Sequence, residues 1–198
     1  MASLIDHDLV VVRQKAKIIE VTNQYKILDE NGNEIGSVNQ VGQSKAKKLL
    51  RLVSNVDQFL THKLEIADAD GTVVLKLVRP AKIMKSKLEV KDANDAAVGS
   101  INQENVVGKK RFSLNDASGN KLGELQGESW VSWDFVIKDT SDKVVGQVNK
   151  KFAGILREGF TTADTYQVQL DSSLTGTLRQ LAFAAAVAID TALKQDDA

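Results

Sequence analysis

Five segments of this chain repeat one pattern, and that repeat constrains the fold more than any other feature. They read YKILDENG at 25–32, LEIADADG at 64–71, LEVKDAND at 88–95, FSLNDASG at 112–119 and FVIKDTSD at 135–142. In all five, apolar residues stand four and two positions before an Asp (Asp29, Asp68, Asp92, Asp116, Asp139). That is period two, the pattern of a strand with one buried face. The Asp can accept hydrogen bonds from turn amides, and the Gly or Asp three residues later tolerates positive φ. Each unit therefore reads as a β-hairpin.

The returning strands repeat too. Ile35, Val74, Val98, Leu122 and Val145 sit six residues after the Asp, and Val38, Leu77, Ile101, Leu125 and Val148 sit nine after it. A spacing of three puts these on opposite faces of a regular strand. At the position between them lies Gly36, Gly99, Gly123 or Gly146, with Leu75 in the second unit. A Gly-centred bulge would return both apolar residues to one face and curl the sheet. The alternative is a strand covered on both sides. The five Asp are separated by 39, 24, 24 and 23 residues, so the chain is a meander of hairpins with an insertion after the first. The insertion, 41–60, carries KAKKLLRLV, which reads as a short helix or a long basic strand. Adding 9–14 and 164–170 gives about twelve strands, and open sheets of that size curl or close.

After Asp171-Ser172-Ser173, suitable helix-capping residues, the pattern changes to a helix over about 175–194. In it Leu178, Leu181, Phe183, Val187, Ile189 and Leu193 are interleaved with alanines. Residues 181–189 are apolar all round, so this stretch is enclosed by protein or lies in a membrane. Nine residues are too few to span a bilayer, which takes about 20. A twelve-stranded closed sheet has a lumen that side chains alone do not easily fill. A narrow, alanine-rich helix would fill it. The expected fold is mainly β: a closed twelve-stranded antiparallel barrel of hairpins around a central hydrophobic C-terminal helix, with 1–198 as a single domain.

Composition removes several functions. The absence of Cys excludes disulfides, thiolate metal sites, Cys nucleophiles and S-acylation. The N-terminus carries acids where a signal peptide needs basic residues, so a cytoplasmic protein is expected. No nucleophile elbow, phosphate loop or dinucleotide Gly motif is present, so no enzyme is expected. His62 could act as a base, but a lone His is more often a surface or packing residue. The repeated turn acids could be metal ligands, but they end separate hairpins and turn formation accounts for them.

The segment KKFAGILREGFTTADTY at 150–166 resembles the phospholipid scramblase and LURP-one-related branch of the Tubby C-terminal-like superfamily. Its match is to the stretch aromatic-x-Gly-x-x-Arg-Glu-x-Phe-Thr-Asp-Ala-Asp-Asn-aromatic. The hairpins and the helix ending in Ile189-Asp190 fit as well. The resemblance implies the same twelve-stranded barrel around a central helix. In calcium-responsive scramblases an acidic segment follows the Phe-Thr pair. Here its first Asp is Thr162, leaving Asp164 as the nearest carboxylate, so neither calcium nor any other cofactor is expected. The family's Cys-rich acylation segment is absent.

Charge distribution is the best functional clue. The chain balances 26 Lys+Arg against 26 Asp+Glu. Residues 41–91 nevertheless hold eleven bases and five acids, a net +6, so the remainder is −6. The candidate lipid-binding residues are Lys45, Lys47, Lys48, Arg51, Lys82, Lys85, Lys87, Lys109, Lys110, Arg111, Lys150, Lys151 and Arg157. Each basic side chain near an anionic leaflet contributes ~1 kcal/mol. Arg157-Glu158 reads as an ion pair locking the chain, or as an Arg that recognises phosphate or carboxylate. The expected function is non-enzymatic, reversible binding to anionic phospholipid headgroups such as phosphoinositides, at a membrane periphery. A protein-binding scaffold and scramblase-like translocation are the alternatives. No base-reading motif supports a specific nucleic-acid partner.

Overall fold

The computed structural model describes residues 3–14, 24–42, 62–80, 87–105, 108–128, 134–149 and 165–193. Each repeat forms the hairpin its pattern predicts. The strands are β1 (Leu9–Gln14), β2 (Gln24–Leu28), β3 (Glu34–Val41), β4 (His62–Asp68), β5 (Val73–Arg79) and β6 (Lys87–Asp92). They continue with β7 (Ala97–Gln103), β8 (Arg111–Asp116), β9 (Lys121–Gly127), β10 (Phe135–Asp139), β11 (Val144–Asn149) and β12 (Thr165–Leu170). Every neighbouring pair is antiparallel. β1 pairs with both β2 and β12, which closes the barrel. The basic insertion after the first hairpin lies outside the described residues.

The turn Asp behaves as its chemistry predicts. In the first hairpin Asp29 Oδ1 accepts from the amides of Asn31 (2.9 Å) and Asn33 (2.8 Å). Asp92, Asp116 and Asp139 repeat this with their own turns. The residue three positions on has positive φ, whether it is Gly32 (84°), Gly71 (87°) and Gly119 (88°) or Asp95 (65°) and Asp142 (64°). The second hairpin departs from the rule. Asp68 Oδ1 instead accepts from the amide of Leu4 at 2.8 Å, and Asp70 takes over the amide of Thr72. A short 3-10 turn, Leu4–Asp6, is anchored by this contact.

The returning strands do contain bulges, but their centre is not the glycine. Ile27 pairs with Gly36 while Leu28 pairs with Glu34, so Ile35 is the extra residue. Val74, Val98, Leu122 and Val145 are skipped in the same way. The bulge thus falls on the apolar residue before the glycine, and turns it toward the core. The glycine has a different reason. A Cβ on Gly36 would stand 2.6 Å from the Ala67 carbonyl oxygen and 2.7 Å from Leu4 Cδ2.

Helix α1 (Gly176–Leu193) runs inside the barrel. Residues 181–189 are all buried, none more than 4% exposed. The helix packs on β7, β8 and β9 on one side and β12 on another. The alanines allow this: Ala182, Ala184 and Ala186 are fully buried against strands that a larger side chain would push away. Asp171 does not cap the helix. Its carboxylate accepts from the Ser173 hydroxyl (2.6 Å) and amide (2.8 Å), in the turn before the helix starts. The barrel's apolar face points inward, and outward positions carry Glu65, Lys76, Lys91 and Glu124. A barrel facing lipid with its outer wall has the reverse pattern.

Candidate functional site

An up-and-down meander has two ends, and here their chemistry differs. All five Asp turns lie at one end, with Asp8, Asp171 and the start of the helix. Glu30, Asp70, Asp95 and Asp142 add to the acids there. The turn geometry keeps this end charged. Asn33 donating to Asp29, Asn120 to Asp116 and Ser141 to Asp139 each hold a carboxyl below its ordinary range.

The opposite end collects the other strand termini: Gln14, Gln24, Val41, His62, Arg79, Lys87, Gln103, Arg111, Gly127, Phe135, Asn149 and Thr165. Of the sequence-predicted bases, Lys87, Lys109, Lys110 and Arg111 are described, and all four are at this end. Lys87 opens β6 and Arg111 opens β8, both exposed. Asn105 shapes the segment before Arg111. Its Nδ2 donates to the Lys109 carbonyl (2.7 Å) and its Oδ1 accepts from the Arg111 amide (3.0 Å). The Lys110 carbonyl accepts from the Gly127 amide at 2.8 Å, tying the basic segment to β9.

Lys45, Lys47, Lys48, Arg51, Lys82, Lys85, Lys150, Lys151 and Arg157 lie outside the described residues, as do Thr162 and Asp164. The strand ends flanking those bases are described. Val41 and His62, Arg79 and Lys87, and Asn149 and Thr165 are all at the end where Lys109 and Arg111 stand. The described strand ends on either side of those segments therefore share one end of the barrel with Lys109 and Arg111. His62 begins β4 opposite Arg79 in the register.

Cross-strand register also builds a cluster that sequence reading missed. Lys76 stands opposite Glu65 on one side and Lys91 on the other, and Lys63 is opposite Val78. Lys76 Nζ is 2.8 Å from Asp95 Oδ2. That hydrogen bond, with the charges of Lys76, Lys91 and Lys63, holds the Asp95 carboxyl below the usual range. The three lysines line a shallow recess of about 170 Å³ on the outer wall, with Glu65 and Asp95 beside them. Their spacing in sequence carries no sign of this. It appears only when β4, β5 and β6 are aligned with the bulge in place. The cluster sets three lysines against two acids, and Lys109 and Arg111 at the strand-connecting end are exposed.

No helix of the described residues is long and apolar enough to cross a membrane.

Three comparisons bear on this arrangement. A family model described as Scramblase matches residues 1–193. A phospholipid scramblase family protein of Schizosaccharomyces pombe is 25% identical over 190 residues, covering 87% of this chain and 48% of the relative. The chain thus spans about half the length of that curated relative. The X-ray structure of an Arabidopsis thaliana protein superposes with a TM-score of 0.53 at 14% identity, covering 92% of this chain and 91% of the other, which shows a shared fold.

Proposed function

Because this chain belongs to the Scramblase family, we propose that it is a non-enzymatic, peripheral membrane domain that binds anionic phospholipid headgroups with the strand-connecting end of its barrel. The observation that carries this reading is the end-to-end division of charge. Acids crowd the Asp-turn end, and Lys87, Lys109, Lys110 and Arg111 stand at the other, where the described acids are Glu104, Glu128 and Asp134. An anionic leaflet attracts one end and repels the other, so the field orients the barrel as well as holding it. At ~1 kcal/mol for each basic side chain near the surface, a handful give reversible association. The apolar helix supports surface contact over insertion, because its apolar stretch 181–189 is buried inside the barrel. No calcium dependence is part of the proposal, and the cytoplasmic leaflet is its natural site.

Vesicle sedimentation tests it. Binding is expected to phosphatidylserine or phosphoinositide vesicles, not to neutral ones, and to fall with salt. Combined reversal of Lys109, Lys110 and Arg111 to Glu should weaken it at least about tenfold, while Lys143→Glu at the opposite end should leave it unchanged. Equal, negligible binding to neutral and anionic vesicles would sink the proposal. Lipid exchange in proteoliposomes by the same protein would favour translocation instead.

A further inference from the structure

Lys109, Lys110 and Arg111 combine a held backbone with unpaired side chains. The Lys109 carbonyl accepts from Asn105 Nδ2 at 2.7 Å, and the Arg111 amide donates to Asn105 Oδ1 at 3.0 Å. The Lys110 carbonyl accepts from the Gly127 amide (2.8 Å) and the Arg111 carbonyl from the Glu104 amide (2.9 Å). Each of the three residues is therefore pinned through its main chain. Asn105 supplies two of these four contacts from one side chain. It is itself held by Gln103, which follows the buried Ile101 by two positions on β7 and is only 6% exposed. A buried amide needs a partner, and Gln103 Nε2 donates to the Asn105 carbonyl at 3.0 Å.

The side chains are another matter. Among the described residues, those of Lys109, Lys110 and Arg111 have neither an ion pair nor a hydrogen bond. Arg111 adds only its field to Glu124, whose oxygens take Lys121 and Gln126. Other lysines are paired: Lys26 with Glu34, Lys76 with Asp95, Lys143 with Asp171 and, at this same end, Lys87 with Glu89 at 3.7 Å. Consecutive Cα atoms root the three charges within about 8 Å of one another. Like charges so close repel, so holding them together does nothing for the barrel. It does prepare them for a ligand, because a group already in place loses less freedom on binding.

We propose that Asn105 is the positioning residue of the headgroup site: it holds Lys109, Lys110 and Arg111 in one arrangement, so that an anionic leaflet meets all three together. This role rests on the headgroup-binding reading above and adds an uncharged residue to it. Asn105 touches no lipid; it acts through the three bases.

The test is sedimentation of the full chain with phosphatidylcholine vesicles carrying phosphatidylserine. Asn105→Ala should weaken binding about fivefold. Its salt dependence should match that of the wild type, because no charge is removed. Asn120→Ala takes the equivalent amide from Asp116 at the opposite end and should leave binding unchanged. With Lys109, Lys110 and Arg111 all changed to Gln, adding Asn105→Ala should produce no further loss. Amide nitrogen relaxation on the free protein should find 109–111 as ordered as β7 and β8, and looser in Asn105→Ala. Should that variant not fold, the wild-type relaxation decides. Undiminished binding by Asn105→Ala, a further loss in the triple-Gln background, or a wild-type segment looser than its strands would overturn the positioning role while wild-type binding keeps the headgroup reading. A wild type that ignores the anionic vesicles would overturn both.

Discussion

Arg179 and Asp8 join the helix to the first strand: the guanidinium Nη2 lies 2.9 Å from Asp8 Oδ1. The rest of the guanidinium is used as fully. Nε donates to the Ile5 carbonyl at 2.7 Å, and Nη1 to the carbonyls of Leu174 (3.1 Å) and Asp171 (3.3 Å). One buried side chain thereby fixes where the N-terminal turn, the last hairpin turn and the helix start meet. Arg179→Met should cost about 3 kcal/mol in denaturant unfolding, because buried carbonyls lose their donors. Asp8→Asn should cost about 1 kcal/mol or less, since its side chain is 48% exposed. Equal losses would mean that the ion pair, not the carbonyl contacts, is what Arg179 supplies.

The enclosed helix makes a second prediction. Phe183 is fully buried in the barrel interior. Phe183→Ala should destabilise by about 4 kcal/mol, and Phe183→Asp should abolish the cooperative unfolding transition, because a charge buried among apolar side chains without a partner is costly. Tyr166→Phe removes one hydrogen bond, from the phenol to the Val187 carbonyl at 2.8 Å. It should cost about 1 kcal/mol. A stable, folded Phe183→Asp protein would contradict the enclosed helix.

Gly36 separates a packing glycine from a turn glycine. Its Cβ would stand 2.6 Å from the Ala67 carbonyl oxygen, a backbone atom held in the sheet, and would also press on the buried Leu4 methyls, so Gly36→Ala should cost about 2 kcal/mol. Gly71→Ala has open space but φ of +87°, so its smaller cost, about 1 kcal/mol, should come from the backbone alone. Thermal melts of the two variants would check the order.

Acid stability should depend on the turn carboxylates. The Ser173 hydroxyl and amide, then Lys143 at 3.2 Å, lower the Asp171 carboxyl from 3.8 to about 2. Asp29, Asp116 and Asp139 are lowered as well. The native state therefore holds these protons less tightly than the unfolded chain. Their contribution is fully present above about pH 4 and is lost as pH falls toward about 2. Asp171→Asn should flatten the dependence of the urea midpoint on pH across that window. An unchanged slope would remove Asp171 from the account.

Much of this architecture is legible in the linear chain because local physics writes it there. Period-two apolar positions, an Asp that binds its own turn amides and a residue able to take positive φ specify each hairpin within a dozen residues. The all-apolar stretch 181–189 calls for enclosure or a membrane, is too short to span one, and its alanines fit a close enclosing wall. The 150–166 segment carries the family resemblance. The bulge was also legible in effect, though it falls on Ile35, Val74, Val98, Leu122 and Val145 and not on the glycines.

What the sequence alone determined, then, is the hairpin, its repetition and the buried helix. Those depend on neighbours a few residues apart. Only the tertiary structure decided relationships between residues far apart in the chain. Asp68 leaves its own turn for an amide 64 positions away. Arg179 finds Ile5 and Asp8. Lys63, Lys76 and Lys91 gather round Asp95. Arg79 turns inward beside the helix alanines. Each needs barrel closure and strand register to be known first, and both emerge from the sum of pairings around the ring. The same closure gathers the five hairpin acids at one end of the barrel and Lys87, Lys109, Lys110 and Arg111 at the other.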